Sequence, residues 1–121
     1  MQFNFLQSMN IQNIIETKVK EGFLAIYNTE IPSVEFQATR KEFEGDITVV
    51  VFPMLRYKKG NPVQIGEDIG NYIVENVSEV AGYNVVKGFL NLVIQDTFYL
   101  NFFNSIFRNN YLSIIFVKLF S

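Results

Sequence analysis

Between residues 11 and 27 apolar side chains recur at helical spacing. Ile11, Ile14, Ile15, Val19, Phe23, Ile26 and Tyr27 fall on one stripe, with Glu16, Lys20 and Glu21 off it. This pattern predicts an amphipathic helix over Asn10–Tyr27, with Asn10 as its N-cap and Ile31-Pro32 turning the chain after it. From Val34 to Thr39 the period drops to two: Val34, Phe36 and Ala38 alternate with Glu35, Gln37 and Thr39, as in a half-buried strand. Arg40–Gly45 is a charged loop. Ile47–Phe52 is β-branched and apolar, and local propensity makes it a strand. Pro53 suits either the first turn of a helix or a strand edge, which leaves the start of Met54–Lys59 open.

Gly60-Asn61-Pro62 stops the chain and restarts it as a helix, with Pro62 at the first helical position. Ile65, Ile69, Tyr72, Ile73 and Val77 share one face of that helix. Gly66 and Gly70 lie one turn apart within it. Each costs a helix about 1 kcal/mol against alanine, so the pair needs a reason: close approach of the helix to a sheet, or contact with a ligand. Ala81-Gly82 opens a hairpin of Tyr83–Val86, Lys87-Gly88 and Phe89–Ile94. A last helix is expected from Thr97 to Arg108, apolar nearly all round, before Asn109-Asn110 breaks it. The order of helix, two strands, helix, two strands and helix predicts an α+β fold. Its form is a two-layer sandwich with an antiparallel sheet of about four strands and the helices on one face.

The length of 121 residues allows one domain with a real core and not two. Hydrophobic residues make up 49% of the chain and charged ones 18%, which excludes a disordered chain. The chain has no Cys, which excludes disulfides, thiolate metal sites and thiol nucleophiles. It has no His, which removes the commonest general base and metal ligand. The net charge of −2 is unusual for a dedicated nucleic-acid binder, so any RNA contact here would be specific rather than electrostatic bulk. Residues 61–96 carry five acids (Glu67, Asp68, Glu75, Glu79 and Asp96) against Lys87 alone, while basic residues cluster at Arg40-Lys41 and Arg56-x-Lys58-Lys59. Solvated surface explains both groups; phosphate contact is the alternative for the basic ones. Met1–Met9 has no basic start or long apolar run, and Tyr111–Phe120 is half the length needed to cross a bilayer.

The segment Phe89–Ile94 puts Leu90, Leu92 and Ile94 on one face of a strand and Phe89, Asn91 and Val93 on the other. The first face reads as core. On the second, a Phe ring that can stack on an unpaired base stands two residues from a carboxamide that can both donate to and accept from a base edge. The same residues fit a structural role, with Phe89 packed under a loop and Asn91 capping it.

Three stretches lie in order along residues 9–105. They are Glu44-Gly45-Asp46 before an apolar segment; Lys59-Gly60-Asn61-Pro62-Val63-Gln64-Ile65-Gly66; and Lys87-Gly88-Phe89-Leu90-Asn91-Leu92. Together they resemble the additional N-terminal, tRNA-binding domain of arginyl-tRNA synthetases. The resemblance implies a non-catalytic domain over residues 9–108 that helps recognise the D-loop corner at the elbow of arginine tRNA isoacceptors. It implies base contacts from Phe89 and Asn91, no cofactor, a monomeric state and a cytoplasmic setting away from membranes, with the rest of the synthetase in cis. A polar contact that some members make just before the glycine falls at Val86, whose side chain can neither donate nor accept. The resemblance further implies a helix over Thr48–Lys59, against local propensity. Residues 1–8 and 109–121 depart from the family pattern and are expected to be extensions, the apolar end arising from truncation or a foreign reading frame.

A different class of function is a stand-alone interaction module whose apolar tail docks a partner protein. A small enzyme finds no support. Glu67 and Asp68 are adjacent, so on a helix they point about 100° apart and do not converge. Neither a HIGH-type adenylate sequence nor a KMSKS-like loop is present in the chain. The chain is therefore expected to show no arginine-dependent pyrophosphate exchange; turnover above blank would overturn that expectation.

Overall fold

A computed structural model describes residues 2–96. The expected helix Thr97–Arg108 and the apolar tail lie outside the described residues. The element order is α1 (Gln2–Tyr27), β1 (Glu35–Ala38), β2 (Ile47–Val50), a short 3-10 helix (Phe52–Arg56), α2 (Pro62–Asn76), β3 (Val80–Val86) and β4 (Phe89–Ile94). The strands form one antiparallel sheet in the order β1-β2-β4-β3. Both α-helices pack on the same side of it, so the α+β two-layer architecture is the one the pattern predicts.

The core lies between helices and sheet. Ile11, Ile15, Val19 and Phe23 of α1 are buried, as are Ile65, Ile69 and Ile73 of α2, against Val49, Val51, Leu90, Leu92 and Ile94. The buried stripe of α1 is narrower than predicted, because Ile14 and Ile26 flank it and remain exposed. Fully burying one such aliphatic side chain is worth about 1.5–3 kcal/mol, so this stripe, not helix propensity, holds α1 in place. The Gly66–Gly70 pair serves the close approach: a Cβ on Gly66 would stand 2.9 Å from Val85, and one on Gly70 would stand 2.6 Å from the Tyr83 ring.

Two expectations are corrected. The first helix starts at Gln2, not Asn10, so Asn10 lies inside the helix instead of capping it, and residues 2–8 continue the same element. Nothing between Gln2 and Tyr27 breaks a helix, since the only Pro and Gly nearby are Gly22 and, beyond the end, Pro32. The helix ends at Asn28, which adopts a left-handed conformation (φ 53°) and donates its N–H to the Leu24 carbonyl. The second correction concerns Thr48–Lys59. Ile47–Val50 is a strand, paired with β1 on one side and β4 on the other, and only Phe52–Arg56 is helical, as a 3-10 turn. Local β-branched propensity, not the resemblance, describes this segment. Pro62 does open α2, and the Asn61 side chain caps it by accepting the Val63 N–H at 2.8 Å.

The adjacent carboxylates of α2 diverge, as the helical geometry requires. Asp68 accepts from the Tyr27 hydroxyl of α1 at 2.7 Å, and Glu67 accepts from the Tyr83 hydroxyl of β3 at 2.6 Å. One carboxylate thus ties α2 to the other helix and its neighbour ties α2 to the sheet. Burial, then the hydrogen bond to Glu67, pushes the Tyr83 hydroxyl from 10 up to about 12. Burial and Asp68 push Tyr27 upward in the same way. A pKa raised in the folded state means that the stabilisation is complete below pH 10 and is lost as pH climbs through about 12. Denaturant midpoints of the wild type should therefore fall across that window. Tyr83→Phe should flatten the fall, and an unchanged pH profile in this variant would contradict the assignment.

Candidate nucleic-acid interface

With the helices on one side, the opposite face of the sheet carries the side chains of alternate positions. Two cross-strand rows matter. In one, Gln37, Thr48, Asn91 and Asn84 are successive partners across β1, β2, β4 and β3; in the other the partners are Glu35, Val50, Phe89 and Val86. Phe89 and Asn91 therefore share the outer face, with Leu90 and Leu92 fully buried beneath.

The two residues differ in access. Asn91 is only 1% exposed. Its side-chain oxygen accepts from the Thr48 hydroxyl at 2.6 Å, and its amide donates to Asn84 Oδ1 at 2.9 Å. A hydroxyl has one proton, and Thr48 gives its own to Asn91. The Thr39 hydroxyl, 2.9 Å from that of Thr48, must then be the donor to it. At the far end the Asn84 amide donates to the Glu44 main-chain carbonyl at 2.6 Å. The result is a one-directional chain, Thr39 to Thr48 to Asn91 to Asn84 to Glu44, along which every donor has an acceptor.

This chain fastens the Arg40–Gly45 loop over the outer face. Gly45 has a φ of 150°, which side chains rarely tolerate, and a Cβ there would stand 3.1 Å from both Asn91 Cβ and Thr39 Oγ1. The next residue, Asp46, donates its N–H to the Leu92 carbonyl and accepts the Ile94 N–H on its carboxylate, each at 2.8 Å. The Gly-Asp pair is thus the joint between loop and β4. Asn91 faces outward, as strand alternation places it, but is roofed by the loop.

Phe89 is half-buried. The Arg40 guanidinium lies 5.7 Å from its ring centroid, and Phe52 meets it edge to face with centroids 6.4 Å apart. Phe52 is 49% exposed and lies against Gly88, where any Cβ would run into its ring. Arg40 also reaches Glu42 at 3.8 Å, both side chains being largely exposed, a contact of small worth in water. The outer face therefore presents two rings and a guanidinium. The sequence reading missed Phe52 and gave Arg40 only as part of a basic cluster. The available signal was register, since Phe52 follows the strand whose Val50 pairs with Phe89. Among the described residues there is no group of acidic, His or Cys side chains that could hold a metal, and no helix is long and apolar enough to cross a membrane.

Among the described residues, sheet and site together define a two-layer α+β domain with both α-helices on one sheet face and a polar latch and an aromatic–cationic patch on the other. The family described as "Arginyl tRNA synthetase N terminal domain" matches residues 9–94, and the chain belongs to that family. The arginine–tRNA ligase of Flavobacterium psychrophilum is 45% identical to it, covering 81% of this chain and 18% of the ligase. That of Amoebophilus asiaticus is 41% identical, covering 85% and 18%. The fold is also that of part of Thermus thermophilus arginyl-tRNA synthetase, with a TM-score of 0.61 at 17% identity over 74% of this chain and 15% of that one. The chain spans 18% of the length of these curated relatives.

Because Asn91 is buried and bonded on both sides, Asn91→Ala should strand the Thr48 hydroxyl and the Asn84 side-chain oxygen, at about 1–3 kcal/mol of folding free energy. Chemical denaturation measures this directly, and a loss within error of zero would mean that the side chain is not held as described.

Proposed function

We propose that this domain binds tRNA for arginine at the D-loop corner of its elbow, as the non-catalytic N-terminal part of an arginyl-tRNA synthetase. The outer sheet face is the contact surface, and Phe89 is its stacking ring. One observation supports the reading: Phe89, which the resemblance matches to the family's base-contacting aromatic, lies on the sheet face opposite α1 and α2, beside an exposed second ring and a guanidinium. An unpaired base can stack on such rings irrespective of its identity, while the Arg40 guanidinium supplies charge for a flanking phosphate. The net charge of −2 fits a domain that adds a few specific contacts while the remainder of the synthetase in cis holds most of the backbone. In this reading the setting is the cytoplasm, and arginine activation belongs to the other domains of the enzyme.

The test is titration of fluorescently labelled arginine tRNA with the 121-residue chain at low salt. Phe89→Ala should weaken binding by about 1–3 kcal/mol, the worth of one stacked base. The penalty should vanish on a tRNA whose contacted D-loop nucleotide is abasic. Equal losses on both RNAs would show that the ring does not stack on that base.

A further inference from the structure

The family motif pairs an aromatic with an amide, yet here the two side chains have different surroundings. Phe89 is accessible in part, whereas Asn91 lies under Gly45 with its oxygen and its amide both engaged. A base could reach the Asn91 amide only after the Arg40–Gly45 loop had left the sheet.

That loop is pinned at both ends by the same hydrogen-bond chain. Thr39, the residue before Arg40, donates to Thr48, and the Glu44 carbonyl takes the amide of Asn84. Within the loop, Phe43 N–H closes a turn onto the Arg40 carbonyl at 3.0 Å. Arg40 is therefore a long, exposed side chain growing from a backbone fixed on either side, and its guanidinium comes to lie over Phe89. A free arginine side chain loses rotamer entropy when it binds a phosphate; one whose backbone is already fixed beside an aromatic face loses less.

Resting on the reading of the outer face as the RNA surface, we propose that Arg40 is the phosphate-contacting residue of this site. We further propose that Thr48, Asn91 and Asn84 are positioning residues, holding the loop so that the guanidinium stands over Phe89. Glu42, the carboxylate 3.8 Å from Arg40, is displaced from it when phosphate binds.

The experiment measures affinity of the 121-residue chain for labelled arginine tRNA over a series of salt concentrations, at a temperature where circular dichroism shows every variant folded. Asn84 is chosen because its side chain is half-buried and its loss leaves the core intact. Arg40→Ala should weaken binding several-fold and lower the slope of log affinity against log salt by about 0.7–0.9, the signature of one phosphate contact. Asn84→Ala and Thr48→Val should reproduce both changes, Thr48→Ser should restore them, and Arg40→Ala with Asn84→Ala should be no worse than Arg40→Ala alone. Additive losses in the double variant, or an unchanged salt slope in Asn84→Ala, would overturn the positioning role while leaving the RNA reading intact if Phe89→Ala still weakens binding. An Arg40→Ala variant that binds like the wild type would overturn the phosphate contact. Absence of any binding by the wild type, at every salt concentration, would remove both readings together.

Discussion

A carboxamide that is 1% exposed at the centre of a sheet has to have its hydrogen bonds made inside the protein. Asn91 is that group, and much of the outer half of the molecule follows from it. Its oxygen needs a donor on β2, which Thr48 provides only when β2 and β4 pair in the observed register. Its amide needs an acceptor on β3, which Asn84 provides only when the hairpin turns at Lys87-Gly88. A one-residue slip of either strand would send its partner to the opposite face and leave the amide unpaired. The polar row thus specifies register on the outer face as the Leu90–Leu92 row does on the inner one. It does so across the strands whose pairing brings Gly45-Asp46 beside Leu92–Ile94 at one end of β4 and Val50-Val51 beside Gly88-Phe89 at the other.

Most of the Gly, Pro, Asn and Asp punctuation discussed above is joinery. Gly45 lets the loop lie against Asn91, Asp46 closes the end of β4, Asn61 and Pro62 start α2, and Gly66 and Gly70 let α2 approach β3. These residues build the sheet and the helix packing of this chain. The aromatic–cationic patch on the outer face rests on fewer side chains: Phe89, Phe52 and Arg40, held by that joinery. The two carboxylate–tyrosine ties work on the opposite side, locking α2 to α1 and to β3 without converging on any common point.

The electrostatics fit this division. On α2, behind the sheet, Glu67 and Asp68 are occupied by tyrosine hydroxyls, while Glu42 and Glu44 share the front loop with Arg40 and Lys41. Arg40 stands in front, on the loop that crosses the outer face. A chain with a net charge of −2 can therefore still offer a local cation to an anionic polymer, because the charge that matters to a bound phosphate lies within about one Debye length, roughly 8–10 Å at physiological ionic strength.

The sequence by itself determined the element order within residues 10–94, the core faces of α1, α2 and β4, the Asn61-Pro62 helix start and the family. Periodicity and turn chemistry are local properties, and the family motif is a local string. Propensity also described Ile47–Val50 correctly as a strand where the resemblance implied a helix. Whether a side chain on the non-core face meets solvent was decided by tertiary structure alone. Phe89 and Asn91 share one face by alternation, yet a loop more than forty residues earlier in the chain closes over the second and leaves the first half open. Alternation assigns a side chain to a face of the sheet. What covers that face depends on which distant segment finds its hydrogen-bond partners there, and those partners are set by the strand order β1-β2-β4-β3. Phe52 and Arg40 became part of the site for the same reason, brought beside Phe89 by pairing and loop closure that no window of sequence contains.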